Sequence, residues 1–197
     1  LKTKVEEQQK TIHELQQENE KLTKKLSEQQ ANKDVLHTAL DVVAALQAKD
    51  MDHVAVYVHP EKGVRFSPYG HVNTDSDIVF QKKEFPSLME NNRIYHFGTF
   101  DGSGQPIDMT FRDYFQKFVY DVDFASPHMI GNNVIIGKGN TLENIHDVYP
   151  NATFVEFHFT GLDKQYNGMD WRSLRLVFEK QGEAWYLVGI VHDQWTI

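Results

Sequence analysis

The first thirty residues of the chain repeat apolar and polar side chains with a period of seven. One register fills the heptad core, with the a positions at Val5, Ile12, Asn19 and Leu26 and the d positions at Leu1, Gln8, Leu15, Leu22 and Gln29. β-Branched residues at a with leucine at d favour a parallel two-stranded coiled coil, and one asparagine at a specifies register and dimer. Residues 1–33 are therefore predicted to form a stalk about 50 Å long that makes a homodimer; a solvated single helix is the alternative.

Two further segments have the apolar spacing of helices that pack on a core. DVLHTALDVVAALQAKD, residues 34–50, places apolar side chains on one face, at Leu36, Leu40, Val43 and Leu46. TFRDYFQKFVYD, which Thr110 can cap, does the same with aromatic residues. The composition of MDHVAVYVHP suits a strand, and its apolar residues also suit a short helix ended by Pro60.

Three long segments near the end of the chain have the pattern of strands. ATFVEFHFTG and WRSLRLVFEK alternate between two sets of side chains, and EAWYLVGIVHDQW is apolar on both faces. The QGE between the last two predicts a tight hairpin turn.

Shorter segments complete the domain. GVRFSP and RIYHFGTF are candidate strands, residues 70–93 indicate an irregular polar loop, and DGSGQP indicates a turn. Long alternating strands with amphipathic helices predict an α+β domain over residues 34–197. We expect a curved antiparallel sheet with one face packed on helices.

The order of these elements and two stretches of sequence resemble the nuclear transport factor 2-like superfamily. The stretches are ALDVVAALQAKDMDHVAVYVHPEKGVRFSP and GEAWYLVGIVHDQW, and the resemblance covers about residues 34–197. It implies a cone, in which a bent sheet wraps on helices and leaves a pocket at the wide end, and it favours a helix for MDHVAVYVHP. Because the superfamily includes isomerases, cyclases, dehydratases and non-catalytic binding domains, the resemblance implies a pocket but no particular activity.

The stalk followed by this domain also resembles uncharacterised cell-envelope lipoproteins of Gram-positive bacteria. The residues that carry this looser resemblance are HPEKGVRFSPY, DGSGQPID and DWRSLRLVFE. It implies an extracytoplasmic protein at the membrane or cell surface, with a lipid anchor upstream of Leu1. A cytoplasmic location is the alternative.

Composition narrows the classes of function. Residues 34–197 hold 22 acidic against 13 basic side chains, and phosphate backbones require clustered Lys and Arg, so no nucleic-acid partner is expected. The absence of cysteine excludes disulfides, thiolate metal sites and a cysteine nucleophile. No apolar run approaches the roughly 18 residues of a membrane span. The histidines match no zinc spacing and no phosphate-binding loop is present, so neither a metal nor a cofactor is predicted.

The last predicted strand ends in an adjacent His192 and Asp193, followed by Trp195. Neighbouring side chains on a strand point to opposite faces, so the two cannot form a catalytic pair without a bulge. Strict alternation predicts two faces, one with His192, Tyr186, Val188 and Ile190 and the other with Asp193, Trp185, Leu187, Val191 and Trp195. A histidine satisfied at the end of the sheet is the main interpretation, and a ligand contact by His192 or Trp195 is the alternative.

A second set of polar residues is expected on one face of the sheet. If the strands pair in sequence order, Glu156, His158 and Arg175 share this face, with Trp171 at its rim. On a concave face they could transfer protons at a ligand carbonyl or bind a carboxylate. On a convex face they would form an exposed ion pair of little energetic value. The sequence leaves the choice open.

Three more residues are candidates for ligand binding. In the superfamily the stretch after the second helix borders the cavity, which implies that Arg65 and Tyr69 contact a ligand. A turn around Pro68 and Gly70 with incidental polar side chains is the alternative. Tyr120, at the end of the third helix, either reaches the pocket or packs in the core.

Three functions remain open from the sequence. The first is a non-enzymatic extracytoplasmic module that binds a small ligand or a partner protein, displayed on or dimerised by the stalk. The second is an isomerase-, cyclase- or dehydratase-like enzyme with Glu156, His158, Asp193 or His192 as base, which requires a carboxylate that points into an apolar cavity. The third is an oligomeric scaffold whose cone is filled by the two C-terminal tryptophans and by phenylalanine side chains.

Overall fold

The computed structural model describes the backbone of residues 2–196, and their side chains except at positions 2, 3, 5, 6, 28, 29 and 32. The predictions for the heptad residues Leu1, Val5 and Gln29 therefore lie outside the described side chains. The chain divides into two compact units, Leu1–Val35 and Leu36–Ile197.

Helices and short strands come before three long strands. Helix α1 covers Lys2–Ala48 and α2 covers Met51–Tyr57, which confirms the helical interpretation of MDHVAVYVHP. The later elements are, in chain order, β1 (Val64–Ser67), β2 (Ile78–Phe80), a 3-10 turn (Lys82–Glu84), α3 (Phe85–Leu88), β3 (Ile94–Thr99), β4 (Pro106–Thr110), α4 (Phe111–Phe118), β5 (Met129–Asn132), α5 (Ile145–Val148), β6 (Ala152–Phe159), a second 3-10 turn (Lys164–Tyr166), β7 (Arg172–Gln181) and β8 (Ala184–Gln194).

In the Leu1–Val35 unit, α1 exposes the apolar residues of its heptads. The side chains that are each more than half exposed are those of Ile12, Leu15, Leu22 and Leu26. The long N-terminal helix is thus present, and the pairing of two copies along it stays a prediction. Among the residues that the structure describes, no helix is both long and apolar enough to cross a membrane.

In the Leu36–Ile197 unit, one sheet has the strand order β2-β1-β8-β7-β6-β5, and β3 pairs separately with β4. The α+β class and the curved sheet packed on helices are confirmed. The prediction of a wholly antiparallel sheet is wrong at one pair, because β1 runs parallel to β8, with Phe66 opposite Ile190. These two strands come from distant parts of the chain, so no hairpin fixes their relative direction.

The register of β6, β7 and β8 gives the sheet two faces of different character. The first, here called the helix face, includes Leu174 and His192, which pair with each other, and the His192 ring lies 5.8 Å from that of Phe118 in α4. The second, here called the polar face, carries Glu156, His158, Ser173, Arg175 and Asp193. Glu156, His158 and Arg175 therefore do share one face, and both faces are buried.

A β-bulge in β8 changes the predicted faces of that strand. Val177 lies opposite Gly189 but Phe178 lies opposite Leu187, so Val188 is the extra residue. An extra residue reverses the alternation on one side of the bulge. Leu187 consequently aligns with the helix face, and Val188 packs in a cluster with Val177 on the other side of the sheet. The predicted faces of the residues before Gly189 are therefore wrong, whereas His192 and Asp193 do lie on opposite faces.

Aromatic rings fill the space between the helix face and α4. Thr110 caps α4 by accepting a hydrogen bond from the Asp113 amide, which confirms the predicted cap. The ring of Phe66 meets the rings of Phe111 and Tyr114 edge-on, with centroids 5.3 and 6.1 Å away. Such contacts add specific geometry to a large buried apolar area. The space between the helix face and α4 is therefore occupied by side chains of the chain itself.

Candidate functional site

A buried ionic network occupies the polar face of the sheet. Arg175 is fully buried, and it donates from Nε to Glu156 Oε2 and from Nη1 to Asp193 Oδ2, each at 3.0 Å. Its Nη2 donates to the carbonyl oxygen of Gly137 at 2.8 Å. Glu156, also without exposed surface, accepts from the Ser173 hydroxyl at 2.6 Å. The interpretation in which Glu156 and Arg175 form an exposed ion pair is therefore wrong, because the pair is present but buried.

The backbone of residues 133–141, here called the strap, covers the polar face. The amides of Ile136 and Gly137 donate to the two oxygens of Glu156 at 3.0 and 2.8 Å. A Cβ atom built on Gly137 would lie only 2.7 Å from the ring of Trp171, and one on Gly139 would lie 3.1 Å from it. These two glycines let the backbone of the strap lie directly on Trp171.

The groups of this network find their partners inside the protein. Burial raises the pKa of the Asp193 carboxyl, although Arg175 acts in the opposite direction. Burial also lowers the pKa of His158, whose Nδ1 lies 2.8 Å from the Ser173 hydroxyl. A satisfied buried network fixes the segments that it joins. The role that the structure shows for Glu156, His158 and Arg175 is thus structural, and a ligand contact by them stays a prediction.

His192 has a carboxylate partner, but the partner is not Asp193. The fully buried imidazole places Nε2 3.1 Å from Oδ1 of Asp121, and Oδ2 of Asp121 accepts from Nε of Arg172 at 2.8 Å. Burial alone would raise the pKa of Asp121, but the hydrogen bonds and charges of His192 and Arg172 hold it below its usual value. This cluster ties the end of β8 to the segment after α4, as expected for a satisfied histidine at the end of the sheet.

A cleft of about 390 Å³ opens beside the end of β1. Its walls come from the loop after β1, from β3 and the turn that follows, and from the strap. The lining includes Tyr69, Asp77, Phe97, Phe100 and Thr141. The size lies within the range of small-molecule sites, and aromatic walls with a few polar groups are typical of them.

Asp77 is the partly buried carboxylate of this cleft. Its Oδ2 accepts from the Ser67 hydroxyl and from the amide of Asn73, whereas its Oδ1 accepts no hydrogen bond from the described residues. Burial raises the pKa of Asp77 from its usual 3.8 to about 6, although those hydrogen bonds and the charges of Arg65 and His71 act in the opposite direction. Asp77 is therefore a carboxylate in the aromatic cleft with one oxygen unused.

Aromatic rings and phenol hydroxyls surround this carboxylate. Phe97 is buried and stacks on Tyr114 with ring centroids 3.8 Å apart. The Tyr114 hydroxyl is buried with no hydrogen-bond partner among the described residues, and burial together with the charge of Asp77 raises its pKa well above the usual value. The Tyr69 hydroxyl accepts from the Asp101 amide at 3.1 Å, which leaves its own proton available for a ligand.

The structure brings some of the predicted ligand residues to this cleft. Tyr69 lines it, and Arg65 donates from Nη1 to the carbonyl oxygen of Asp77 at 3.0 Å. The sequence did not single out Asp77, Phe97 or Phe100. The one signal for Asp77 was the apolar IVF triplet that follows it, since this triplet forms β2 within a stretch that was predicted to be irregular.

Other predicted ligand residues lie elsewhere. Tyr120 donates to Asp123 Oδ1 at 2.7 Å and accepts from a backbone amide, so its hydroxyl closes a turn. Trp195 is 42% exposed and Trp185 is half-buried, so the expectation that these tryptophans fill the cone is wrong. In the part of the chain whose side chains are described, no three metal-ligating residues converge.

The comparisons with known proteins concern the fold. No protein-family model and no curated protein match the chain. Among solved structures, one similar chain is named as an NTF2 variant. It has 10% sequence identity and a TM-score of 0.32, and the match covers 81% of this chain and 97% of that one. Another similar chain is described as a putative calcium/calmodulin dependent protein kinase II association domain from Xanthomonas campestris. It has 12% sequence identity and a TM-score of 0.30, and the match covers 82% of this chain and 84% of that one. The architecture itself, a curved sheet packed on helices, agrees with the resemblance to the nuclear transport factor 2-like superfamily.

Proposed function

We propose that Leu36–Ile197 is a non-enzymatic binding module that takes up a small ligand in the cleft lined by Tyr69, Asp77, Phe97 and Phe100. The observation that carries this proposal is the free Oδ1 of Asp77 among aromatic side chains. A half-buried carboxylate oxygen without a protein partner costs free energy unless a ligand or water satisfies it. Because aromatic side chains fill the space between the helix face and α4, the proposed site is the cleft beside the end of β1 rather than that space.

The contacts of the predicted bases favour binding over catalysis. Glu156, Asp193 and His192 are fully or almost fully buried, and each is bonded to other groups of the protein. A general base has to reach the proton that it removes, within hydrogen-bond distance or through one water. None of these three lines the cleft at Asp77, so a reaction there would have to rest on Asp77 itself.

The stalk completes the proposal. We propose that residues 1–33 join two copies of the chain through the exposed stripe that contains Ile12, Leu15, Leu22 and Leu26, with Asn19 setting the register. We also propose an extracytoplasmic location, supported by the resemblance to cell-envelope lipoproteins. In this proposal the stalk holds two binding domains away from a membrane. The location is tested by fractionation of source cells followed by immunoblotting of each fraction.

Ligand screening tests the binding proposal. A library of small polar compounds is screened against the full chain by ligand-detected NMR, and hits are repeated with Asp77→Asn. Asp75→Asn is the matched control, because it removes the same charge two residues away at an exposed side chain outside the cleft. Binding that Asp77→Asn abolishes and Asp75→Asn preserves supports the cleft. Hits that bind both variants equally would place the site elsewhere.

Proton transfer by Asp77 is the second candidate function. It is favoured by the raised pKa of this carboxyl and by the Tyr69 hydroxyl in the same cleft, since a base near neutrality and a hydrogen-bond donor are the parts that such chemistry needs. The test incubates each ligand found in the screen with the protein in D2O. Exchange of a carbon-bound proton that Asp77→Asn removes would establish catalysis; unchanged ligand would leave binding alone.

A further inference from the structure

We infer that the ligand of the cleft at Asp77 is a small organic cation, with an ammonium group held between the Asp77 carboxylate and the rings of Phe100 and Tyr69. This inference rests on the proposed binding function and adds the chemical class of the ligand. It combines three observations: the free carboxylate oxygen, the aromatic walls and the charges around them.

The carboxylate provides the counter-charge. Because Oδ2 of Asp77 already accepts two hydrogen bonds, only Oδ1 remains for a ligand. The carboxylate forms no ion pair with a described side chain, since the nearby Arg65 directs Nη1 to backbone oxygens instead, that of Asp77 at 3.0 Å. His71, the other basic group beside it, lines the cleft and has Nδ1 3.1 Å from the carbonyl oxygen of Leu142. Arg65 and His71 therefore act on the charge of Asp77 without bonding to its carboxylate, and Oδ1 stays open to an external cation.

The aromatic walls suit an ammonium group. A cation over an aromatic ring is attracted by the negative face of the ring, and several rings around one carboxylate are a common arrangement for alkylammonium ligands. Phe100 already holds an ammonium group of the chain outside the cleft, since Nζ of Lys117 lies 5.5 Å from the centroid of Phe100 and 5.9 Å from that of Phe118. Lys117 lines the neighbouring groove, which leaves the Asp77 cleft without an ammonium of its own.

Other ligand charges fit the cleft less well. An anion would meet Asp77 and also Asp101, which lines the same cleft, in a domain that already has an excess of acidic residues. A neutral ligand would displace water from Asp77 without neutralising it, which is costly for a half-buried carboxylate. A cation removes that cost, and a volume of about 390 Å³ limits it to a small molecule.

The test uses three probes of the same shape and different charge. They are choline, its uncharged analogue 3,3-dimethylbutan-1-ol and the anion 3,3-dimethylbutanoate. Binding to the whole chain, residues 1–197, is measured by calorimetry and by shifts of amide NMR signals from the cleft. Choline is expected to bind at least about tenfold more tightly than the alcohol, which corresponds to about 1.4 kcal/mol and lies in the range of a cation over desolvated rings.

Variants assign the effect to the cleft. Asp77→Asn should abolish the preference for choline, and Asp75→Asn should preserve it. Phe100→Ala should weaken choline more than the alcohol, because the alcohol gains no cation–π attraction.

The outcomes separate the inference from the proposed function. If the alcohol or the anion binds in the cleft as tightly as choline, the ligand class is wrong and the binding function stands. If no probe binds and the broader screen also finds no ligand for the cleft, both are wrong. A choline preference that survives Asp77→Asn would overturn the inference, because the charge that explains it would then lie elsewhere.

Discussion

Replacing Asp77 by asparagine should make the protein more stable at neutral pH. Asparagine keeps a side-chain oxygen that can accept from the Ser67 hydroxyl and the Asn73 amide, but it removes a charge that is partly withdrawn from water. The carboxyl has a pKa of about 6 in the folded protein and a usual value of 3.8. The ionised side chain therefore opposes folding, and its replacement should relieve that cost.

The magnitude follows from linkage between ionisation and folding. Well below pH 3.8 the carboxyl is protonated in both states, and its ionisation contributes nothing. Between 3.8 and about 6 the folded protein retains a proton that the unfolded chain has lost, so the free energy of unfolding falls as the pH rises. At 1.36 kcal/mol per pH unit, the cost is about 1 kcal/mol at pH 4.5 and about 3 kcal/mol at pH 7.5. Residual contact of the carboxylate with water reduces both values.

Urea unfolding at several pH values provides the assay. The stability of Asp77→Asn minus that of the wild type should increase by about 1–2 kcal/mol between pH 4.5 and 7.5. The difference isolates Asp77, because other titrating groups contribute equally to both proteins, and Asp75→Asn should show no such increase. A difference that is constant with pH, or a variant less stable than the wild type at pH 7.5, would refute the reasoning.

Three further substitutions test the network, the strap and the stalk. Arg175→Ala leaves two buried carboxylates unpaired and should lower the free energy of unfolding in urea by about 3–5 kcal/mol; a loss below about 1 kcal/mol would contradict a network that is closed to water. Gly137→Ala forces a methyl group against the Ser173 hydroxyl and the Trp171 ring and should cost about 1–3 kcal/mol in the same assay, and an unchanged midpoint would contradict the close packing of the strap on these two side chains. Leu22→Asp should convert the expected dimer of the full chain into a monomer in light scattering, whereas Gln17→Asp, at an f position, should not.

The elements that depend on local pattern were predictable from the sequence. Period-two alternation identifies β6 and β7, because one side-chain set faces each side of a strand wherever the strand lies. The aromatic spacing of α4 and its Thr110 cap follow from the helix period in the same way. The bulge at Val188 was not predictable, because an extra residue leaves the composition of an apolar strand unchanged.

The environment of the polar residues depends on distant parts of the chain. Alternation places Glu156 and Arg175 on one face, but it cannot show that residues 133–141 cover that face. The strap reads NVIIGKGNT, in which three apolar residues are followed by glycines and polar residues, and this short mixed pattern does not indicate which surface the segment covers. Likewise, Asp77 becomes a cleft residue only because β3 and its turn bring Phe97 and Phe100 beside it. The pattern along the chain shows on which face of a strand a residue lies. Only the tertiary contacts show whether that face is exposed to solvent.

Glu156 and Asp77 therefore differ in whether groups of the protein offset the cost of their burial. Glu156 accepts hydrogen bonds from two amides, a hydroxyl and a guanidinium of its own chain, so the fold itself compensates its burial. Asp77 is also withdrawn from water, but one of its oxygens has no such partner and burial shifts its pKa towards neutrality. Both carboxylates carry a cost of desolvation, and only one of them is compensated within the protein. The free oxygen of Asp77 therefore has to be satisfied from outside the chain, by water or by a ligand, and a cationic ligand would also offset the cost of the partly buried charge.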